Sequence, residues 1–164
     1  MISKRLLVES ETFNAMRTKK ALESIEYLTT KQLYILGYLH IIEIVDKSKN
    51  NSTIYNMNFN KYIQYLHNMF LFCSVDVNLQ DVEYLEDLNL IKILLNREVF
   101  LVTKIFPIYH DKKAEINNFF KAGLGHKIST DWEVNGLKYA NLTRTGAYIG
   151  KTLGEVWTKL AKPL

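Results

Sequence analysis

The residues best suited to metal binding or nucleophilic chemistry are four histidines and one cysteine, and their spacing supports neither activity. The histidines lie far apart, and none has a second ligand at the short spacings that metal sites use. Cys73 lies in an apolar stretch, so we expect a small buried residue of a reducing compartment. The run Tyr109-His110-Asp111 is polar, but an exposed loop after Pro107 explains it more simply than a catalytic cluster. The sequence therefore predicts no enzyme, no metal site and no cofactor.

Near the end of the chain, the segment TGAYIGKTLGEVW partly matches a phosphate-binding loop. The match fails because Gly146 and Gly150 are one residue closer together than that loop requires. At helical spacing, Gly146, Gly150 and Trp157 instead fall on one face. Glycines inside a helix destabilise it, so several of them suggest the close approach of another backbone. We therefore predict close packing of this face, against a helix of the same chain or as a dimer contact with a second copy.

The composition predicts one packed domain spanning residues 1–164. Apolar residues make up 48% of the chain, charged residues make up 23%, and the net charge is +4, a balance that favours a folded globule over a disordered chain. The longest apolar stretch, 33–45, contains His40 and Glu43 and is shorter than a bilayer span requires. The first residues lack the pattern of an export signal. We expect a cytoplasmic protein with no membrane contact.

Hydrophobic spacing predicts helices along most of the chain. Residues 1–28 form an N-terminal helical extension with a sparse apolar stripe of Leu22, Ile25 and Leu28, and residues 29–160 form the core. Three core helices follow, each opened by a residue that can cap a helix. They are 31–45 after Thr29 or Thr30, the helix to Phe72 after Asn58 or Asn60, and 79–88 after Asn78.

A change of period after these helices predicts a small antiparallel sheet. Leu90–Leu95 and Val99–Ile105 alternate as the two strands of a hairpin. The fold class is therefore predicted as α+β, mostly helical, with a small antiparallel sheet and flanking N- and C-terminal helices. The remaining predicted elements are a weak helix over 112–122 broken by Gly123 and Gly125, a strand over 137–142, and a last helix from Thr143 or Thr145 to about 160.

Two segments carry a family resemblance. VEYLEDLNLIKI at 82–93 and YANLTRTG at 139–146 resemble the winged helix-turn-helix superfamily, in which a third helix leads into two wing strands and an LT..G element opens the next helix. Within it, the chain resembles regulators of the multiple-antibiotic-resistance-repressor type and the winged-helix-like C-terminal domains of abortive-infection proteins. The resemblance covers about residues 29–160 and implies that 79–88 takes the place of the recognition helix. It also implies a long insertion in the wing, over 105–138.

The helix in the recognition position has the wrong charge for DNA. Asp81, Glu83, Glu86 and Asp87 make it acidic, and carboxylates repel the phosphates that a groove-reading helix must approach. The same four residues suit a basic partner or a solvated face. We therefore expect this helix to contact a protein partner rather than DNA.

Positive charge is left for the wing, where Lys92, Arg97 and Lys104 are the candidate nucleic-acid contacts. Two hypotheses follow. The first is a non-enzymatic winged-helix-like interaction or regulatory module of a bacterium or phage, which binds a protein partner or forms a homodimer. The alternative is a DNA-binding winged-helix transcriptional regulator that uses this basic wing.

Overall fold

The structure is a computed structural model that describes residues 2–47, 57–70, 76–95, 100–109 and 111–160. Within these ranges the chain forms eight α-helices and one two-stranded antiparallel sheet. The predicted α+β, mostly helical class is confirmed. In chain order the elements are α1 (Ile2–Ile25), α2 (Thr30–Lys47), α3 (Phe59–Phe70), α4 (Leu79–Asp87), β1 (Ile91–Ile93), α5 (Leu101–Ile105), α6 (Lys113–Lys121), α7 (Gly123–Glu133), β2 (Ala140–Leu142) and α8 (Arg144–Leu160).

Three helices start where the sequence predicts caps. At α2, Thr29 and Gln32 exchange backbone-to-side-chain hydrogen bonds of 3.0 and 3.3 Å, which is a capping box. The side-chain oxygens of Asn58 before α3 and Asn78 before α4 each accept from the backbone N–H three residues later. Each cap satisfies a backbone donor that the first turn of a helix leaves unpaired. These predicted helix starts are therefore confirmed.

Helix α2 is the centre of the core, where it contacts α3, α4, α5, α8 and β2. Its apolar residues are buried on nearly every side, as their distribution around the helix predicts. Helix α8 comes close because Gly150 has no side chain. A Cβ atom there would lie 2.5 Å from the Leu36 carbonyl oxygen and 3.0 Å from the His40 Cβ. The first and last core helices are thus packed backbone against backbone.

The sheet joins two strands that are distant in the sequence. In the antiparallel register of β1 and β2, Ile91 lies opposite Leu142 and Ile93 lies opposite Ala140. The intervening residues 94–139 contain helices α5, α6 and α7. Both ends of this long segment are therefore fixed side by side on the sheet.

The hairpin predicted from Leu90–Leu95 and Val99–Ile105 is wrong, because residues 101–105 form helix α5. Leu101 and Ile105 are one helical turn apart and both are buried, whereas Phe100 and Val102 are exposed. Helical spacing, rather than alternation, decides which apolar residues face inward here. Asn141 and its neighbours occupy the place beside β1 that the predicted second strand would have taken.

The strand predicted over 137–142 is half correct, because residues 140–142 form strand β2 but residues 137–139 do not. A 3₁₀ turn over Leu137–Tyr139 follows Gly136, whose φ of 81° is the left-handed conformation that glycine adopts without strain. The helix predicted over 112–122 is confirmed as α6. Ala122 separates it from α7, whose first residue, Gly123, has a φ of 59°. The sequence reasoning missed α7 because glycines at its start suggested a break rather than a second helix.

Aromatic rings tie the inserted segment to the body of the fold. Tyr62 on α3 is fully buried, and its hydroxyl donates to the Ile105 carbonyl at the end of α5. The Tyr109 hydroxyl donates to the Met57 carbonyl at 2.6 Å. The ring centroids of Phe106 and Tyr62 are 5.9 Å apart in an edge-to-face arrangement, which is a favoured geometry for aromatic pairs. The aromatic residues of α3 are therefore core residues.

Helix α1 packs on α8 through small and polar side chains. Ala21 is buried, and the Thr18 hydroxyl lies 3.4 Å from the Tyr148 hydroxyl. Of the sparse apolar stripe predicted in residues 1–28, Leu22 and Ile25 are exposed on α1, and Leu28, which lies after the end of α1, is half-buried. No helix in the described ranges has the length and apolar character needed to cross a membrane.

Candidate functional site

The two segments that carry the family resemblance meet at the junction between α4 and α8. Asn89, at φ 55°, turns the chain after α4. The Thr143 hydroxyl lies 2.9 Å from the Asn89 carbonyl oxygen and 3.0 Å from that of Leu90, and the Thr143 backbone N–H donates to Leu90 at 3.0 Å. The backbone N–H of Gly146 donates back to the Thr143 hydroxyl at 3.2 Å. These hydrogen bonds join strand β1 to the start of α8, and they use both the hydroxyl and the backbone N–H of Thr143.

The glycines proposed as dimer contacts are covered within the chain. A Cβ atom at Gly146 would lie 2.9 Å from the Leu90 carbonyl carbon, and one at Gly150 would overlap the backbone of α2. Both glycines are buried in the isolated chain. Their close packing is therefore intramolecular, which corrects the dimer interpretation at these two positions. The side chain of Trp157 lies outside the described residues.

The acidic residues of α4 divide into two groups. A carboxylate oxygen of Asp81 lies 2.7 Å from the Lys31 Nζ, across the junction with α2. Glu86 accepts from the Ile93 backbone N–H at 2.8 Å and so holds strand β1. Glu83 and Asp87 are exposed. Two of the four predicted partner contacts thus stabilise the fold, and the other two remain available to a basic partner.

The predicted basic wing is not assembled as expected. Lys92 is exposed on β1. Lys104 lies on helix α5 rather than on a strand, and its Nζ is 3.3 Å from an Asp46 carboxylate oxygen. Arg97 lies outside the described residues. A cation held by a carboxylate attracts phosphate less strongly, so Lys104 is a poor nucleic-acid contact.

The described residues hold no cluster of three or more histidine, cysteine or acidic side chains that could bind a metal ion. Cys73 and His110 lie outside these residues, so the interpretation of the Tyr109-His110-Asp111 run stays a prediction. His40 is half-buried between α2 and α8, and desolvation by burial lowers its pKa from the usual 6.5 against the opposing effect of Glu43. Its buried Nδ1 has no hydrogen-bond partner among the residues that the structure describes.

Asp131 on α7 is the most buried carboxylate of the described residues, at 2% exposure. Its oxygens lie 3.1 Å from the Lys127 Nζ and 3.1 Å from the Asn135 side-chain nitrogen. Burial raises the pKa of Asp131 above its usual value, and the bonds from Lys127 and Asn135 oppose this rise. All three residues lie on or just after α7, so this cluster stabilises the end of the helix.

A groove between α1 and the start of α8 is the candidate site. It is open to solvent and has a volume of about 640 Å³. Two of its residues are large exposed apolar side chains, Phe13 at 62% and Met16 at 63% exposure. The full lining is Phe13, Met16, Arg17, Lys19, Lys20, Glu23, Arg144 and Thr145. We call this feature the α1–α8 groove.

The sequence reasoning missed this groove. Its α1 residues lie in the segment assigned to a polar helical extension, and Arg144 lies in the resemblance segment. A sequence signal exists, because Phe13, Met16, Arg17 and Lys20 recur at the spacing of one helical face. That signal does not reveal that this face lies beside the start of α8.

No protein-family model, curated protein or solved structure matches this chain.

Proposed function

We propose that this protein is a non-enzymatic, winged-helix-like interaction module that acts in regulation by binding a macromolecular partner. The observation that carries the proposal is the α1–α8 groove, where apolar and cationic side chains are held in the open by two packed helices. Exposed apolar patches rimmed by charge are typical of protein-binding surfaces.

The order of elements supports a winged-helix-like fold with an insertion. Helix α4 leads directly into β1, β1 pairs with β2, and β2 leads directly into α8. In a winged helix the two paired strands would enclose a short wing, and here they enclose residues 94–139. The Thr143 hydroxyl donates to the Leu90 carbonyl and accepts from the Gly146 backbone N–H, which gives the two motif segments a shared structural role.

The way that the polar side chains are used supports a binding role over a catalytic one. Asp81, Glu86, Lys104 and Asp131 each make a hydrogen bond or ion pair that joins elements or ends a helix. Catalytic groups instead gather in a cleft with matched acid and base partners. Among the residues lining the α1–α8 groove, Glu23 is the one carboxylate, and Lys19 lies 3.9 Å from it.

A DNA-binding regulator that uses the wing is the second candidate. Exposed Lys92 favours it, whereas the Lys104–Asp46 ion pair and the acidic α4 oppose it. Fluorescence anisotropy with mixed-sequence duplex DNA at low and moderate salt separates the two candidates. Salt-sensitive binding that Lys92→Glu removes would favour the regulator.

The module itself is tested by capture on the immobilised intact chain from cells that encode it, with each captured protein identified by mass spectrometry. The expected result is a partner whose purified form binds the purified chain at micromolar or lower concentration. A chain that binds neither a purified partner nor DNA would refute the proposal.

A further inference from the structure

We infer that the α1–α8 groove binds an acidic segment of a partner protein that places apolar side chains between Phe13 and Met16. This inference rests on the proposed function and names the chemistry of the partner. It assigns the binding role to helix α1 and the start of α8, rather than to α4 or to the wing.

The charges of the groove determine the sign of the charge that a partner must carry. Four cationic side chains and one carboxylate line it, namely Arg17, Lys19, Lys20, Arg144 and Glu23. Even with Lys19 beside Glu23 at 3.9 Å, positive charge is in excess. The cationic side chains repel one another, and carboxylates of a partner would attract them instead. Arg17 and Arg144 can each hold a carboxylate through two parallel hydrogen bonds.

The apolar residues of the groove indicate that a partner must bring apolar side chains as well as negative charge. Phe13 and Met16 are more than half exposed, and Arg17 and Lys20 continue the same helical face. Burying these two side chains under a partner removes apolar surface from water, which favours binding. Methionine also adapts its shape to different partners. The surface therefore suits an amphipathic acidic helix that is laid along the groove, a common mode of peptide recognition.

A symmetric dimer fits this surface poorly. A two-fold contact sets each groove against its own copy, which would bring the cations of Arg17, Lys20 and Arg144 against their equivalents. A head-to-tail contact with the exposed Glu83 and Asp87 of a second copy would pair the charges, and it would show as a concentration-dependent increase in mass.

Single-stranded nucleic acid also fits less well than an acidic peptide. Strands without sequence preference are held by several aromatic rings along a basic path, and Phe13 is the one aromatic residue in the groove lining. Glu23 would lie near the phosphates.

The test is fluorescence anisotropy of the full chain with a labelled helical peptide of about 18 residues, which has Leu and Phe on one face and Glu on the other. A scrambled peptide of the same composition is the first control. We expect the patterned peptide to bind at least tenfold more tightly than the scrambled one. Raising the salt from about 50 to 300 mM should weaken its binding severalfold.

The variants are matched in charge. Arg17→Glu together with Lys20→Glu should weaken peptide binding about tenfold or more. Lys61→Glu together with Lys113→Glu makes the same change in net charge at exposed positions outside the groove and should leave binding within twofold. Phe13→Ala should weaken binding about threefold or more at every salt concentration. Circular dichroism of each variant verifies that the helices are retained.

Three results of this anisotropy assay would overturn the inference. These are equal binding of the scrambled peptide, an equal loss in the Lys61 and Lys113 variant, or tighter binding of a single-stranded oligonucleotide than of the patterned peptide. A mass that doubles with concentration and is restored to that of the monomer by Arg17→Glu would assign the groove to a second copy instead. If a purified partner still binds after the groove is reversed, the module stands and the groove assignment fails.

Discussion

Replacing Gly146 by alanine tests whether α8 packs against Leu90, because this packing and helix propensity predict opposite changes in stability. In an isolated helix the change adds about 1 kcal/mol of stability, because glycine is the poorer helix former. In this fold the new Cβ would overlap the Leu90 carbonyl oxygen, and it would lie 2.9 Å from the Leu90 carbonyl carbon and 3.4 Å from a Leu142 methyl carbon. The first contact involves backbone, so α8 itself must move away from Leu90.

The expected cost can be worked from the contacts at this junction. Forcing a methyl group into packed structure costs about 1–3 kcal/mol. Moving α8 also weakens the hydrogen bonds from Thr143 to Leu90, which contribute about 1 kcal/mol each. After the gain in helix propensity, we expect Gly146→Ala to lower the free energy of unfolding by about 2–3 kcal/mol.

Gly154→Ala on the same helix is the matched control. Its Cβ would meet the His40 Cδ2 at 3.4 Å, which is close to ordinary contact with a side chain. We expect this variant to be unchanged or more stable by up to about 1 kcal/mol. Urea unfolding followed by circular dichroism measures both variants. If Gly146→Ala matches Gly154→Ala, α8 does not rest on Leu90 and the junction is wrong.

Three further predictions concern titration and backbone conformation. His40 has a lowered pKa in the fold, so its neutral form is favoured and stability is lost as the pH falls below the usual 6.5; pH-dependent urea unfolding should show a shallower loss for His40→Gln, and an equal loss would contradict the burial of His40. Asp131 has a raised pKa, so its contribution to stability falls as the pH rises above the usual 3.8; the stability of the wild type relative to Asp131→Asn should decrease over that rise, and a constant difference would refute the shift. Asn89→Ala should destabilise the fold by about 1 kcal/mol because φ is 55°, whereas Asn89→Gly should not; thermal unfolding that ranks the two variants equally would contradict the left-handed turn.

The helices were predictable because their signals are local. Thr29, Asn58 and Asn78 cap helices through bonds to residues three positions away, and such signals are readable from spacing alone. The apolar residues of α2 likewise predict a buried helix without reference to its neighbours. Local chemistry was sufficient for these elements.

The sheet was not predictable in the same way. Leu90–Leu95 has the composition of a strand, but nothing local shows that its partner is Ala140–Leu142 rather than the nearby 99–105. Strand pairing depends on how distant segments meet, and the shorter loop was the simpler assumption. The same limit applies to the α1–α8 groove, since Phe13 and Arg144 are brought together only by packing.

Glycine positions gave mixed results for a related reason. The spacing of Gly146 and Gly150 correctly predicted that a backbone packs against them. It did not determine whose backbone, and the answer is that of Leu90 and α2. At Gly123 the left-handed φ marks a boundary between two helices, which sequence alone reads equally well as a loop.

The pairing of the earliest core elements with the latest ones has a consequence for how the chain is made. Helix α2 leaves the ribosome long before α8, and β1 leaves long before β2, so α8 and β2 cannot pack on these two elements until residues 140–160 have been synthesised. Until then the part of α2 that α8 covers is exposed to water or to chaperones. We expect the core to close only after residues 140–160 have been synthesised, and chains that stop before residue 140 to aggregate or be degraded.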